Sequence, residues 1–116
     1  DSRDPEVAAR VPTLSAVAGA LLAAAPVADA LGVTLESLHT PPCTLPAEHR
    51  PLCKPAAAWR LVVVDASERP FPLAASPFEG GAYVDACGRC AWRTSCPGPR
   101  ADYLAIHGDA ELVPVE

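Results

Sequence analysis

Proline governs this chain. Ten of its 14 prolines lie between Pro41 and Pro99. Each lacks an amide donor and fixes φ, so neither a long helix nor a central strand runs easily through that stretch. The segment is expected to be irregular loop with short strands. Longer regular structure is left to the two flanks.

In the upstream flank, Thr13 follows Pro12 and suits an N-cap. Leu14, Val17, Ala18, Leu21 and Leu22 recur at helical spacing, which predicts an amphipathic helix to about Ala25. Pro26 is expected to kink or restart it, and Gly32 suits the C′ position. The alternating "VTLESL" (Val33–Leu38) then reads as a strand. Helix, glycine and strand in that order form the α-to-β half of an α/β repeat. Further on, "WRLVVVD" (Trp59–Asp65) is rich in β-branched residues and predicts a short strand, with another at Ala82–Val84. In the downstream flank, Pro99 fits the first turn of a helix, Asp102 complements its dipole and Gly108 ends it.

Half the residues are apolar, but much of that is alanine and aromatics are only 5%. Alanine buries little area, so a self-sufficient core is not expected without a bound metal or a larger body to pack against. The formal net charge of −5 argues against coating nucleic acid. The apolar run Leu14–Ala30 has the look of a secretory signal, yet Asp1, Asp4 and Glu6 precede it. Pro26 and Asp29 make it a poor membrane span. A cytoplasmic chain without membrane or nucleic-acid partner is the expectation. No methionine is present, so the chain reads as a processed form or a part of something longer.

Three of the five cysteines fall within "CGRCAWRTSC", Cys87–Cys96. A disulfide framework would leave one thiol over. A redox pair would open a helix in a thioredoxin-like sheet, whereas this pair lies among irregular segments. Zinc ribbons use two Cys-x-x-Cys elements and only one is present. "HTPPC" and "HRPLC" place His39 four residues before Cys43 and His49 four before Cys53, but the prolines deny the helix that would make those pairs converge. Zinc stays as an alternative. An iron–sulfur cubane fits best: Cys87, Cys90 and Cys96 would take three corners, and Cys43 or Cys53 the fourth. Gly88 is expected to supply backbone freedom beside the sulfurs. Arg89, Arg93 and Arg100 concentrate positive charge there, and Trp92 is placed to shield a cluster or simply to pack.

The stretch "CGRCAWRTSCPGPRADYLAIHGDAELVPVE" resembles the C-terminal auxiliary-cluster region of radical SAM enzymes, the SPASM/twitch type. The resemblance rests on Cys87, Cys90, Cys96, Gly98, Tyr103, Gly108, Glu111 and Pro114. "VTLESLHTPPC" is similar to the family's upstream Pro-Cys element, which makes Cys43 the fourth ligand by resemblance, with Cys53 the substitute. The implied fold is an α/β fragment over residues 1–40, the last helix and strand of a partial barrel. A loop-rich metal-cluster-binding cap with a C-terminal helix then follows over residues 41–116. The implied function is electron relay or substrate positioning by one [4Fe–4S] cluster in peptide or small-metabolite modification. The family's Cys-x3-Cys-x2-Cys motif is missing, so this chain alone should not cleave S-adenosylmethionine. That cofactor would come only with a missing N-terminal part or a partner chain. The expected partners are a radical SAM core domain or subunit and a peptide substrate.

Three other functions compete. RecB-like iron–sulfur nucleases end with a similar cysteine group, but their core needs a lysine among acidic residues, and Lys54 is the sole lysine. A small zinc-binding module and a disulfide-stapled exported protein are the non-enzymatic rivals. Asp65, Glu68, Glu79 and Asp85 read as solvated carboxylates. Ser67, Ser76 and Ser95 lack a nucleophile motif. "FEGGAYV" lacks a phosphate-loop lysine and reads as a turn. His107, at a helix end, is given no catalysis.

Overall fold

The computed structural model describes residues 4–55, 58, 60–64, 66–75 and 81–116. A single helical turn, α1 (Pro5–Ala8), precedes the long helix α2 (Leu14–Leu31). Thr13 caps α2 through its side chain, which accepts from the Ala16 amide at 3.2 Å. At the other end Gly32 takes the left-handed conformation, φ 65°. Its amide donates to the Asp29 carbonyl at 3.2 Å, and the Val33 amide reaches back to Ala28 at 2.9 Å. This double closure is the Schellman arrangement, which satisfies carbonyls that a helix end leaves open. Pro26 neither ends nor restarts the helix, which runs on through it. Pro26 is exposed, and its cost falls on the helix's own ladder, where it removes an amide donor.

The strand expected over Val33–Leu38 is not formed. A single parallel bridge joins Ser37 to Cys53: the Ser37 amide donates to Leu52 at 2.7 Å, and the Lys54 amide to Ser37 at 2.8 Å. Pro51 and Pro55 bracket the partner segment and deny the further amides a ladder would need. Proline-bearing 3-10 turns at Pro42–Thr44 and Ala47–Leu52 fill the space between.

The hairpin comes from β1 (Val62–Val64) and β2 (Pro70–Pro72), antiparallel, with Val63 opposite Phe71. β1 lies within the expected Trp59–Asp65 strand, whose two end residues lie outside the described ones, while β2 falls in a stretch expected to be mainly loop. Ala82–Val84 has no strand partner among the described residues. Ser76, Glu79 and the Phe78–Gly80 part of the glycine-rich stretch also fall outside them. Another 3-10 turn, Asp85–Arg89, carries Cys87 and is capped by Cys90, and α3 (Ala101–His107) follows Cys96.

The core is thin, as the alanine content implies. One cluster joins Leu14, Tyr103 and Leu112, with Val11, Cys43, Val84 and Leu104 packed on it. The other joins Ala18, Leu45 and Cys53, with Leu21 and Leu22. Helix α2 supplies both through positions 14, 18, 21 and 22, one face of the helix. It is 18 residues long with mean hydropathy 1.8, which by length and composition is enough to cross a membrane. Core helices and signal sequences pass the same test.

Candidate metal centre

Cys43, Cys87, Cys90 and Cys96 line one small cavity with Pro41, Pro42, Tyr83, Trp92, Arg93, Pro99 and Leu112. Cys43 arrives on the Pro42–Thr44 turn, whose Thr44 amide and hydroxyl both bond to the Pro41 carbonyl, at 3.1 and 2.8 Å. Cys87 and Cys90 sit on a tight turn: the Cys87 amide donates to Val84 at 2.9 Å and the Cys90 amide to Cys87 at 3.3 Å. A second turn carries Cys96, whose amide donates to Trp92 at 2.8 Å. The chain thus needs no helix or strand to gather these thiols. Consecutive turns, fixed by proline and local amide bonds, bring three of them to a fourth that lies 44 residues before the first.

Two backbone amides point at sulfur. Gly98 donates to Cys96 Sγ at 3.3 Å and Val115 to Cys90 Sγ at 3.5 Å. Amide donors of this kind stabilise anionic sulfur and tune whatever it ligates. Gly98 holds φ 78°, the left-handed region, and a Cβ there would press on the Ala82 carbonyl and the Tyr83 ring. The sequence reading placed the special glycine at Gly88; the conformation belongs to Gly98, while Gly88 has no positive φ.

The thiols are electrostatically coupled. Burial first, and then the neighbouring Cys96, Cys90 and Cys87, push the Cys43 thiol up to about 11. Burial also raises Cys96, against the Gly98 amide and the Arg93 charge, which pull it down. Both shifts favour the neutral thiol at Cys43 and Cys96, so a metal that binds these two must displace their protons.

Cys53 stands apart. It does not line the cavity but packs against Ala18 and Leu45, pinned by the bridge to Ser37. Its thiol is pushed up to about 11, by burial first and then by Cys96 and Cys43. All five cysteines are unpaired. Among the described residues, no group of three or more His, Cys, Asp or Glu side chains is placed to hold a metal ion. His39 and His49 face two other clefts.

Arg93 lies over the Tyr83 ring, 3.2 Å from its centroid, and the Tyr83 hydroxyl donates to the Cys96 carbonyl at 2.8 Å. Arg100 is taken up by Asp102 through two 2.9 Å bonds, which hold the Asp102 carboxyl below its usual range. Arg89 is exposed. Of the three arginines expected near the sulfurs, Arg93 lines the cavity. Tyr83 was missed from sequence, where nothing but its aromaticity near the cysteines marked it. Comparison with protein-family models, with curated proteins and with solved structures finds no match.

The donor set is chemically apt for a thiolate-held group: four sulfurs, walls of proline and aromatic carbon, and two amides aimed at sulfur. The cavity is narrow, about 20 Å³, so loading would require the four side chains to turn outward. Exposed turns carry three of those side chains, which makes that adjustment local.

Proposed function

We propose that the chain binds one [4Fe–4S] cluster through Cys43, Cys87, Cys90 and Cys96 and serves as the auxiliary-cluster cap of a radical SAM enzyme. On this reading residues 1–40 are the last elements of a larger barrel. The observation that carries the reading is that four of five thiols, one from far upstream, share one apolar cavity. A mononuclear tetrahedral thiolate site needs sulfurs within about 3.8 Å of one another, given metal–sulfur bonds near 2.3 Å. A cubane spreads its thiolates over separate irons, in keeping with donors that gather around a cavity without converging on a single point.

When bound, the cluster supplies one-electron transfer. The residues of this chain do the rest. Four thiolates would saturate the irons, which favours relay or structural support over an open substrate-binding iron. The amides of Gly98 and Val115 would stabilise the more negative, reduced state. Trp92, Pro41 and Pro99 would keep water away. Arg93, held on Tyr83, would add positive charge on the rim. The two amides and the Arg93 charge act to raise the potential, whereas exclusion of water, which disfavours the more negative reduced state, acts to lower it.

The test is anaerobic reconstitution with iron and sulfide, read by iron and sulfide content, visible charge-transfer absorption and paramagnetic resonance after reduction. Cys90→Ala is expected to lose the cluster, while Cys53→Ser retains it. Zinc bound in preference to iron, or full iron content in Cys90→Ala, would overturn the assignment.

A further inference from the structure

Beside the cysteine cavity, and sharing the buried Pro99 as a wall, lies a second and much larger cleft of about 530 Å³. The chain crosses from one to the other between Thr40 and Pro41: Thr40 lines the large cleft and Pro41 the cysteine cavity. This volume is in the range of sites for small organic ligands. Its body is apolar, formed by Val11, Leu14, Val17, Leu38 and the Tyr103 ring. Its floor is rigid, since Leu14 and Tyr103 belong to the core and the Thr40 hydroxyl is buried and bonded to Ser37 at 2.7 Å.

The charges on its rim give the ligand class. Two carboxylates line the cleft, and both have cationic partners: Asp102 is forked on Arg100 at 2.9 Å, and Glu36 is 4.0 Å from Lys54. Arg10 also lines the cleft and has no ion-pair partner among the described residues. The lining guanidiniums and carboxylates balance in number, and because Lys54 reaches Glu36 from outside the cleft, Arg10 is the lining cation left for a ligand. We infer that this cleft binds a small organic monocarboxylate with a short apolar body, its carboxylate on Arg10 and its carbon chain along Val17 and Leu38. A guanidinium fork suits a carboxylate, and the apolar walls exclude a strongly hydrated dianion.

The test is a titration of the full chain with sodium hexanoate, followed by amide nitrogen–proton shifts. Hexanamide and hexylammonium serve as probes of equal length and different charge. Hexanoate is expected to shift Leu38, Thr40 and Asp102 saturably, with the other two probes at least roughly tenfold weaker, the size of a lost charge-assisted hydrogen bond. Arg10→Glu, a change at an exposed position, should weaken hexanoate by a similar factor. Val17→Trp should block the slot for all three probes. Equal binding of hexanamide, shifts confined to other faces, or unchanged affinity in both variants would overturn the inference. The titration reads the cleft and not the sulfurs, so failure of iron binding leaves its result standing.

Discussion

Two glycines flanking Cys87 have opposite surroundings. A Cβ at Gly81 would overlap the Pro99 carbonyl oxygen and crowd Pro97 and Gly98, whereas nothing lies within 4 Å of one at Gly88. Gly81→Ala is therefore expected to cost about 2 kcal/mol or more, and Gly88→Ala about 0.5 or less. Thermal melts of the two variants check the contrast. Sequence reasoning singled out Gly88 because it lies inside the Cys-x-x-Cys turn. What spacing could not convey is that the Pro97–Pro99 segment folds back onto Gly81, a contact between residues with no shared motif. It could have flagged Gly98, a glycine held between two prolines at the third cysteine.

At the scale of elements, local signals were legible and pairing was not. The Thr13 cap, the Gly32 terminus and the Gly108 end of α3 follow from short-range rules, and the structure has each of them; Pro99, expected in the first turn of α3, instead precedes its Arg100 cap. The alternation in Val33–Leu38 is a real pattern, but a strand also needs a partner with free amides. Its neighbour runs between prolines and offers one bridge. Pro26 shows the converse: a breaker by composition that α2 absorbs. From an exposed position it removes the amide that would bond the Leu22 carbonyl. Pro26→Ala is expected to restore that bond and raise stability by about 1–3 kcal/mol, less whatever rigidity proline gives the unfolded chain. Urea unfolding followed by circular dichroism measures it, and a lower midpoint would show that the ring does something the exposed surface hides.

At the scale of the whole molecule, the two flanks are fastened together by a small polar group centred on one carboxylate. Glu111 accepts from the amides of Leu14 at 2.9 Å and Ser15 at 3.1 Å and from the Tyr103 hydroxyl. His107 Nε2 lies 2.9 Å from the Val11 carbonyl. The Ser15 bond first, then Tyr103, hold the Glu111 carboxyl at about 2, against an ordinary value of 4.5. A depressed folded-state value gives stability that is present above about 4.5 and lost as pH falls toward about 2. Glu111→Gln should be less stable than the parent at pH 6, with the difference closing over that window, as read by melts across pH. None of this could be read from sequence, because the partners lie 96 and 97 residues away. The same fastening carries the chain on to Val115, whose carbonyl accepts from Ala91 at 2.8 Å and whose amide meets the Cys90 sulfur. Affinity handles and fluorescent fusions are thus better attached ahead of α1: placed after Glu116, their bulk would begin one residue from a sulfur contact and would perturb the very signal they were meant to help purify.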